Sequence, residues 1–526
     1  MTTRKTKSTA KRSARKPTKS PAAAQAGRKA RSKKTGLKVR MYRVGFGDFF
    51  LVTVPTTKGD QYILIDCGVF KGTSGKGDIG SIVEAVEDMY KTTKGHLALV
   101  IMTHRHADHI AGFAKAKRFL DFTASMVWMP YWEKFNDEAK AKAKKKKENE
   151  NKSLTAAEEK EEEDENEAFK LLSDIDEVAA QLALQFRGRE DAEGKEALAQ
   201  LANATGIEDF NAAATSGRKG GSNAIALDML KKHLGDNGKK VRYYAADDDP
   251  ELPPELTGLK ATILGPPPKK ARAFLSLMDL KKGVGQYLDS LDGDESSKGI
   301  QPFSYEWTAK LKKDYPAEDL RGFKIKYQEF TETVNNSRPD MLLAAAARIE
   351  NFLNNQSLVV LFEFDGKRLL FAGDAQAGNW EYWLYKTDEP VKDPTKAGDL
   401  VERSKELLQT IDFYKVGHHG STNATPIQAI EAAIARPQTG NGFVSMCSTE
   451  DGVYGNPDKD TEVPRRVLMD VIDKGSLLVR SDAIPITYTD ATTGEQIVVK
   501  SREGVKLPTP KVGKINQHKL YLEYEF

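Results

Sequence analysis

Residues 103–109 read Thr-His-Arg-His-Ala-Asp-His, and this stretch decides how the rest of the chain is interpreted. It places three imidazoles and one carboxylate within six residues, in a chain of 526 residues with 8 histidines. The apolar residues 97–102 (LALVIM) precede it and predict a buried strand, so the polar residues follow a strand end, where α/β proteins place chemistry. Imidazole nitrogens and carboxylate oxygens are ligands for zinc. The stretch therefore predicts a metal site; the alternative is a helix N-terminus with surface histidines.

Three other predicted strands end in the same kind of residue. Residues 62–65 (YILI) precede Asp66, residues 368–371 (RLLF) precede Ala-Gly-Asp374, and residues 413–416 (FYKV) precede Gly-His418-His419. We expect the four strand ends to converge on one edge and to form one site.

The spacing within the first stretch allows two ions. His104 and His106 can face one ion on the loop, while Asp108 and His109 face a second. Two ions about 3.5–4 Å apart can activate a shared hydroxide as a nucleophile.

The remaining sequence predicts an α/β protein. Residues 38–65 have the alternation and turn signals of a β-meander, and a helix is expected over residues 79–94. Residues 133–235 predict a helical insertion and residues 269–350 a second insertion of mixed character. The insertions could cover the site, regulate it or bind a partner protein.

The net charge of +4 conceals two parts of opposite charge. Residues 1–40 contain 15 Lys and Arg and no Asp or Glu, and the remainder holds 65 basic and 76 acidic residues. We expect residues 1–36 to be a disordered tail, because they contain little apolar surface to bury. The composition is typical of a nucleic-acid-binding tail, a solubilising tail or a transit peptide. The candidate phosphate-binding residues are Lys11, Arg12, Arg15, Lys16, Arg28, Lys29, Arg31, Lys33 and Lys34.

Composition also excludes several classes of protein. Two cysteines are too few for a disulfide scaffold or a cysteine-rich zinc module. No uninterrupted apolar run reaches about 18 residues, and the tail lacks the apolar segment of a secretory signal. We therefore expect a cytoplasmic protein without a membrane-spanning helix.

Five stretches together resemble the metallo-β-lactamase fold, and more narrowly the hydrolase domain of ComEC-type competence proteins. They are VGFGDFFLV with ILIDCG, IMTHRHADHIAGF, NNQSLVVLFEFDGKRLLFAGDA, YKVGHHGST, and VYGNPD with PRRVLMDVIDKG and VRSDA. The resemblance covers residues 37–485 apart from the two insertions. It implies an αββα sandwich over residues 37–526 that carries the helical insertions and the basic N-terminal tail.

The resemblance also implies roles for the site residues. His104 and His106 would bind a first metal, and Asp108 and His109 a second. Asp374 would bridge the two ions.

The remaining roles follow the same pattern. His419 would complete the second site, while His418 would face the substrate phosphate or donate a proton, although these two neighbours could exchange roles. Asp66 would orient the loop through hydrogen bonds. Asp108 and His418 are the catalytic candidates.

The sequence departs from the family pattern in two places. The only histidine between the first ligand loop and Asp374 is His233, and the strand end that could supply a third ligand to the first metal has Gly265. A histidine of the family's YGHP segment is replaced in Tyr454-Gly455-Asn456-Pro457. We expect one or two zinc ions, with manganese as an alternative because it accepts carboxylate and water ligands.

These features favour a metal-dependent hydrolase, and most of all a phosphodiesterase or nuclease that cleaves DNA with a metal-activated hydroxide. One alternative is a hydrolase of small esters, lactones or phosphodiesters, since one fold serves many reactions. Another is a DNA-binding protein with a degenerate metal site. The oligomeric state is left open.

Overall fold

The structure of the protein is a computed structural model that describes residues 36–70, 81–134, 192–207, 221–276, 339–386, 400–426, 429, 443–455, 462–483, 486–489, 496–499 and 505–526. Residues 1–35, with all nine candidate phosphate-binding residues, lie outside the described residues. So do most of the two predicted insertions and residues 456–461.

Sixteen strands occur among the described residues. They are β1 Lys38–Tyr42, β2 Phe49–Thr56, β3 Gly59–Cys67, β4 His96–Ile101, β5 Thr123–Pro130, β6 Val241–Tyr244, β7 Lys260–Gly265, β8 Val359–Phe364, β9 Lys367–Phe371, β10 Phe413–Lys415, β11 Phe443–Cys447, β12 Ser476–Arg480, β13 Ile486–Thr489, β14 Gln496–Val499, β15 Lys514–His518 and β16 Tyr521–Glu525.

Eight α-helices accompany these strands in the same described ranges. They are α1 Ile82–Thr93, α2 Ala107–Lys115, α3 Ala192–Thr205, α4 Ser222–Asp228, α5 Pro339–Asn354, α6 Ala377–Tyr385, α7 Glu402–Thr410 and α8 Arg466–Gly475. A π-helical turn at Met229–Leu234 extends α4. None of these helices combines the length and the apolar composition needed to span a bilayer.

Two large sheets form the centre of the fold. The first has the strand order β15-β16-β1-β2-β3-β4-β5-β6, and the second has the order β12-β11-β10-β9-β8-β7. Strands β3 to β6 run parallel to one another, as do β9 to β12. The α/β class expected from the sequence is confirmed in this arrangement.

Strand β2 packs against a different layer of the fold on each of its two faces. Side chains alternate between the faces of a strand, and both faces of β2 are apolar. Phe49 and Leu51 pack in a cluster with helices α1 and α2, while Phe50 and Val52 pack in a cluster shared with the second sheet. A third apolar cluster joins the second sheet to α6, α7 and α8. The two sheets therefore pack face to face, with helices on their outer faces.

The predicted boundaries differ from the observed ones by a few residues. The helix expected over residues 79–94 is α1, which begins at Ile82 because the Ser81 side chain accepts a hydrogen bond from the Val83 N–H (3.2 Å). It ends before Lys94, which has a left-handed backbone. Helices α3 and α4 lie in the first predicted insertion, and α5 begins in the second.

Candidate metal centre

The predicted ligands come together because parallel strands end at the same edge. Strands β3 and β4 are paired in parallel, which places Asp66 beside the loop that follows β4. Strands β9 and β10 are also paired in parallel, which places Asp374 beside the loop with His418 and His419. The backbone N–H of Leu358, just before β8, donates to the Thr103 carbonyl oxygen (2.9 Å), so the two sheet edges meet at this point.

All six predicted ligands are buried, and two groups of candidate ligands contain them all; a third group among the described residues combines His109 with Asp48 and Asp66. Within each group, ligand atoms lie within 4.8 Å of one another. Asp108 belongs to both groups and therefore joins them. The larger group contains Asp108, His109, Asp374 and His419, and the smaller contains His104, His106 and Asp108.

Contacts between imidazole nitrogens and carboxylate oxygens dominate the larger group. His109 Nε2 lies 2.9 Å from Asp374 Oδ2, and His419 Nε2 lies 3.1 Å from Asp108 Oδ2. In the smaller group, His104 Nε2 lies 3.0 Å from His106 Nδ1. Carboxylates and imidazoles thus face one another across a distance that one ion could bridge.

Several buried ligand atoms lack hydrogen bonds to any described part of the chain. They are His106 Nε2 and Asp108 Oδ1, together with His109 Nε2 and Asp374 Oδ2, whose 2.9 Å approach to each other is an ion-pair contact without hydrogen-bond geometry. Leaving a buried polar atom without a hydrogen bond costs free energy, and a charged group costs more. Cations held by the two groups would satisfy these atoms, and the nitrogen and oxygen donors fit zinc or manganese. The residues present therefore fit a metal ion.

Hydrogen bonds fix the orientation of two ligand histidines. His109 Nδ1 donates to Asp66 Oδ2 (2.7 Å), and His419 Nδ1 donates to the Ser448 carbonyl oxygen (2.8 Å). In each ring Nε2 is left facing the larger group, as metal-binding histidines require. Asp66 also accepts a hydrogen bond from the Thr103 N–H (2.8 Å) and so ties the ligand loop to β3.

Two charged residues in this centre were not predicted from the sequence. Asp48, between β1 and β2, and Lys415, the last residue of β10, are both buried and form an ion pair. Lys415 Nζ also lies 3.1 Å from Asp374 Oδ1 and donates to the Gly373 carbonyl oxygen (2.9 Å). A lysine within the apolar strand FYKV was the available signal, because a charged residue in a buried strand needs a partner.

The protonation states follow from burial and charge. Burial would raise the pKa of Asp374 and of Asp108, but the nearby cationic groups hold both pKa values below the ordinary range. Burial would lower the pKa of Lys415, yet the carboxylates of Asp48 and Asp374 raise it. Burial does lower the pKa of His104, so its neutral, ligand form is favoured.

His418 lies at the edge of the centre and belongs to neither ligand group. Its Nε2 is 3.4 Å from Glu350 Oε1, and its Nδ1 is 3.2 Å from Asn423 Oδ1. Burial would lower the pKa of His418, but Glu350 and Asp374 raise it to about 9. His418 and His419 thus have different surroundings, with only His419 among the ligand atoms.

A cavity of about 210 Å³ adjoins the centre. Asp108 and His418 reach it from the ligand loops. Its other walls combine aromatic rings with amide and charged side chains, among them Phe46, Tyr454, Asn203, Asn351 and Arg465. A substrate in this cavity would contact both the metal ligands and His418.

At the end of β7, where the sequence lacks a third histidine, the side chain of Asn379 packs against Gly265. A Cβ atom on Gly265, at the end of β7, would lie 2.0 Å from Asn379 Oδ1, so the strand end has no space for a larger side chain. Asn379 is held there by hydrogen bonds to the carbonyl oxygens of Asn355 (3.1 Å) and Ser357 (2.7 Å). His233 is exposed on the π-helical turn and belongs to neither ligand group.

No protein-family model and no curated protein matches this chain.

Proposed function

We propose that this chain is a metal-dependent phosphodiesterase that cleaves DNA. The observation that carries the proposal is the pair of buried ligand groups joined at Asp108, which open onto a cavity that also contains His418. A centre of this kind places a cation and a proton donor on the same substrate.

The proposed fold is that of the metallo-β-lactamases, and the proposed relationship within it is to the hydrolase domain of ComEC-type competence proteins. Two facing sheets with outer helices support this assignment, as does the position of the ligands at the sheet edges. The five sequence stretches that resemble the family supply the other support.

The chemistry is divided between the ion and the protein. An ion held by these residues would act as a Lewis acid and lower the pKa of water. His419 and Asp108 would hold the ion, and Asp66 orients His109. His418, at the cavity, donates a proton to the leaving oxygen of the substrate.

DNA is proposed as the substrate because of the basic tail. Residues 1–36 carry 13 Lys and Arg and no Asp or Glu, and lysine and arginine side chains bind phosphates by displacing counterions. The acidic remainder of the chain would repel a polyanion, and the tail offsets this repulsion.

The test combines metal analysis with a nuclease assay. We expect the purified protein to hold at least one ion per chain and to cleave DNA with Mn²⁺ or Zn²⁺. Asp108→Ala/His109→Ala removes ligands from both groups and should abolish both properties. The matched control is His96→Ala/Asp121→Ala, which alters the same residue types at exposed positions. Equal cleavage by the ligand variant, or wild type with well under one ion per chain, would refute the proposal.

A second experiment separates the tail from the centre. A chain that begins at Gly36 should keep turnover of a small phosphodiester, while its affinity for DNA and the salt dependence of that affinity should fall. Turnover of small esters without any cleavage of DNA would favour the small-molecule hydrolase instead.

A further inference from the structure

Helix α5, which begins in the second predicted insertion, contributes one face to the cavity. Ala347, Glu350 and Asn351 all line it, at the i, i+3, i+4 spacing that places side chains on one side of a helix. The insertion thus delivers a carboxylate beside the candidate metal centre. Glu350 is in neither ligand group, so a role as metal ligand does not explain its position.

Glu350 faces the ring of His418. Glu350 Oε1 lies 3.4 Å from His418 Nε2, and the two side chains are 14% and 13% exposed. Solvent screens such a pair much less than a pair on the surface.

The other ring nitrogen has partners suited to either hydrogen-bonding role. Asn423 Oδ1, 3.2 Å from His418 Nδ1, can only accept a hydrogen bond, whereas Gln376 Nε2, at 3.3 Å, can only donate one. His418 itself has a left-handed backbone (φ 43°), which is costly for a residue other than glycine and common at functional sites. The surrounding residues therefore hold this ring in a defined place at the expense of local strain.

We infer that Glu350 is a positioning residue for His418. The carboxylate accepts a hydrogen bond from Nε2–H and fixes the orientation of the ring. Nδ1–H is then the group that leaves the Asn423 side chain and donates to the leaving oxygen of the substrate. This inference rests on the proposed phosphodiesterase activity. It gives the second insertion a direct part in the reaction.

The leaving group of the substrate provides the test. A sugar oxygen of DNA needs a hydrogen bond or proton as it departs, whereas p-nitrophenolate departs without this assistance. We would measure kcat and KM of the full chain on a DNA oligonucleotide and on bis-p-nitrophenyl phosphate. Glu350→Gln keeps the shape of the side chain and removes its charge, and Glu350→Asp keeps the charge.

The expected result is selective. Glu350→Gln should lower kcat on DNA by about tenfold or more, since proton transfer by a positioned side chain contributes about 100- to 10,000-fold. KM and bound metal should stay near the wild-type values, and the loss on bis-p-nitrophenyl phosphate should be several-fold smaller. Glu350→Asp should recover part of the rate on DNA. The matched control is Glu363→Gln, whose carboxylate lies 3.6 Å from Arg368 in a half-buried pair on β8 and β9, and it should match wild type.

Other outcomes overturn the inference. Equal losses on both substrates, or lost metal, would mean that Glu350 has a merely structural role, while the proposed function would stand. Unchanged kcat on DNA would also overturn it. If wild type hydrolyses neither substrate, the proposed function fails together with the inference.

Discussion

Replacing Lys415 with methionine removes the ammonium group that lies against two buried carboxylates. The side chains of Lys415, Asp48 and Asp374 are each at most 2% exposed, so water cannot take over the role of the lysine. Methionine has nearly the same length and is uncharged. The variant therefore tests the charge with little change in packing.

The expected loss in free energy of unfolding is large because two buried carboxylates lose their positively charged partner. Breaking a buried ion pair by removing one member costs about 3–5 kcal/mol. An exposed pair is worth about 0–1 kcal/mol. The two ranges do not overlap, so one measurement decides between a buried pair and a screened one.

The assay is urea denaturation with a metal chelator present, followed by tryptophan fluorescence. The matched control is Lys232→Met, which breaks a surface pair with Asp228 whose side chains are both more than half exposed. A second variant, Asp48→Asn/Lys415→Met, removes the charge of a partner as well and should regain much of the lost free energy. Added Zn²⁺ should reduce the deficit of Lys415→Met, because an ion on Asp374 supplies positive charge.

A loss below about 1 kcal/mol in Lys415→Met would refute this reasoning, because that value is typical of a screened surface pair. Equal losses in the single and the double variant would refute it as well, because removing the charge of Asp48 would then recover none of the lost free energy.

Three further variants test the ligand loop and His418. Asp66→Asn should weaken metal affinity by about 10- to 100-fold by releasing His109, as chelator competition would show; unchanged affinity would contradict the orienting role. Gly68→Ala should lower both the melting temperature and the metal content, because its Cβ would lie 2.0 Å from the Asp108 carbonyl carbon; wild-type values for both would argue against this packing. Because the pKa of His418 is raised to about 9 despite burial, its protonation should stabilise the metal-free chain below pH about 6.5, and this contribution should be lost as pH rises through 9. Urea denaturation from pH 6 to pH 9.5 should therefore show a smaller pH dependence for Glu350→Gln, and an identical dependence would count against the Glu350 contact.

The convergence of the candidate ligands could be predicted because each follows a recognisable strand. Apolar runs end at Asp66, at the loop with His104 and just before Asp374, and parallel pairing brings such ends to one edge. Local patterns were sufficient here because each ligand is marked by its own neighbours in sequence.

Asp48, Lys415 and Glu350 could not be placed in the centre in this way. Each is a single charged residue, and its role depends on a partner that is distant in sequence. Lys415 in a buried strand indicated that some counter-charge exists but not which one. Glu350 lies in a helix of the second predicted insertion, where no pattern linked it to His418.

The candidate ion-binding position joins parts of the chain that are synthesised at different times. Asp108 and His419 are 311 residues apart in sequence, and their side chains meet in the larger ligand group. During synthesis, His104, His106 and Asp108 leave the ribosome long before Asp374 and His419 are made. Binding of an ion by the larger group would therefore have to wait until most of the chain has emerged and the second sheet has docked. Once bound, the ion would act as a cross-link that closes a loop of several hundred residues and would slow the separation of the two sheets.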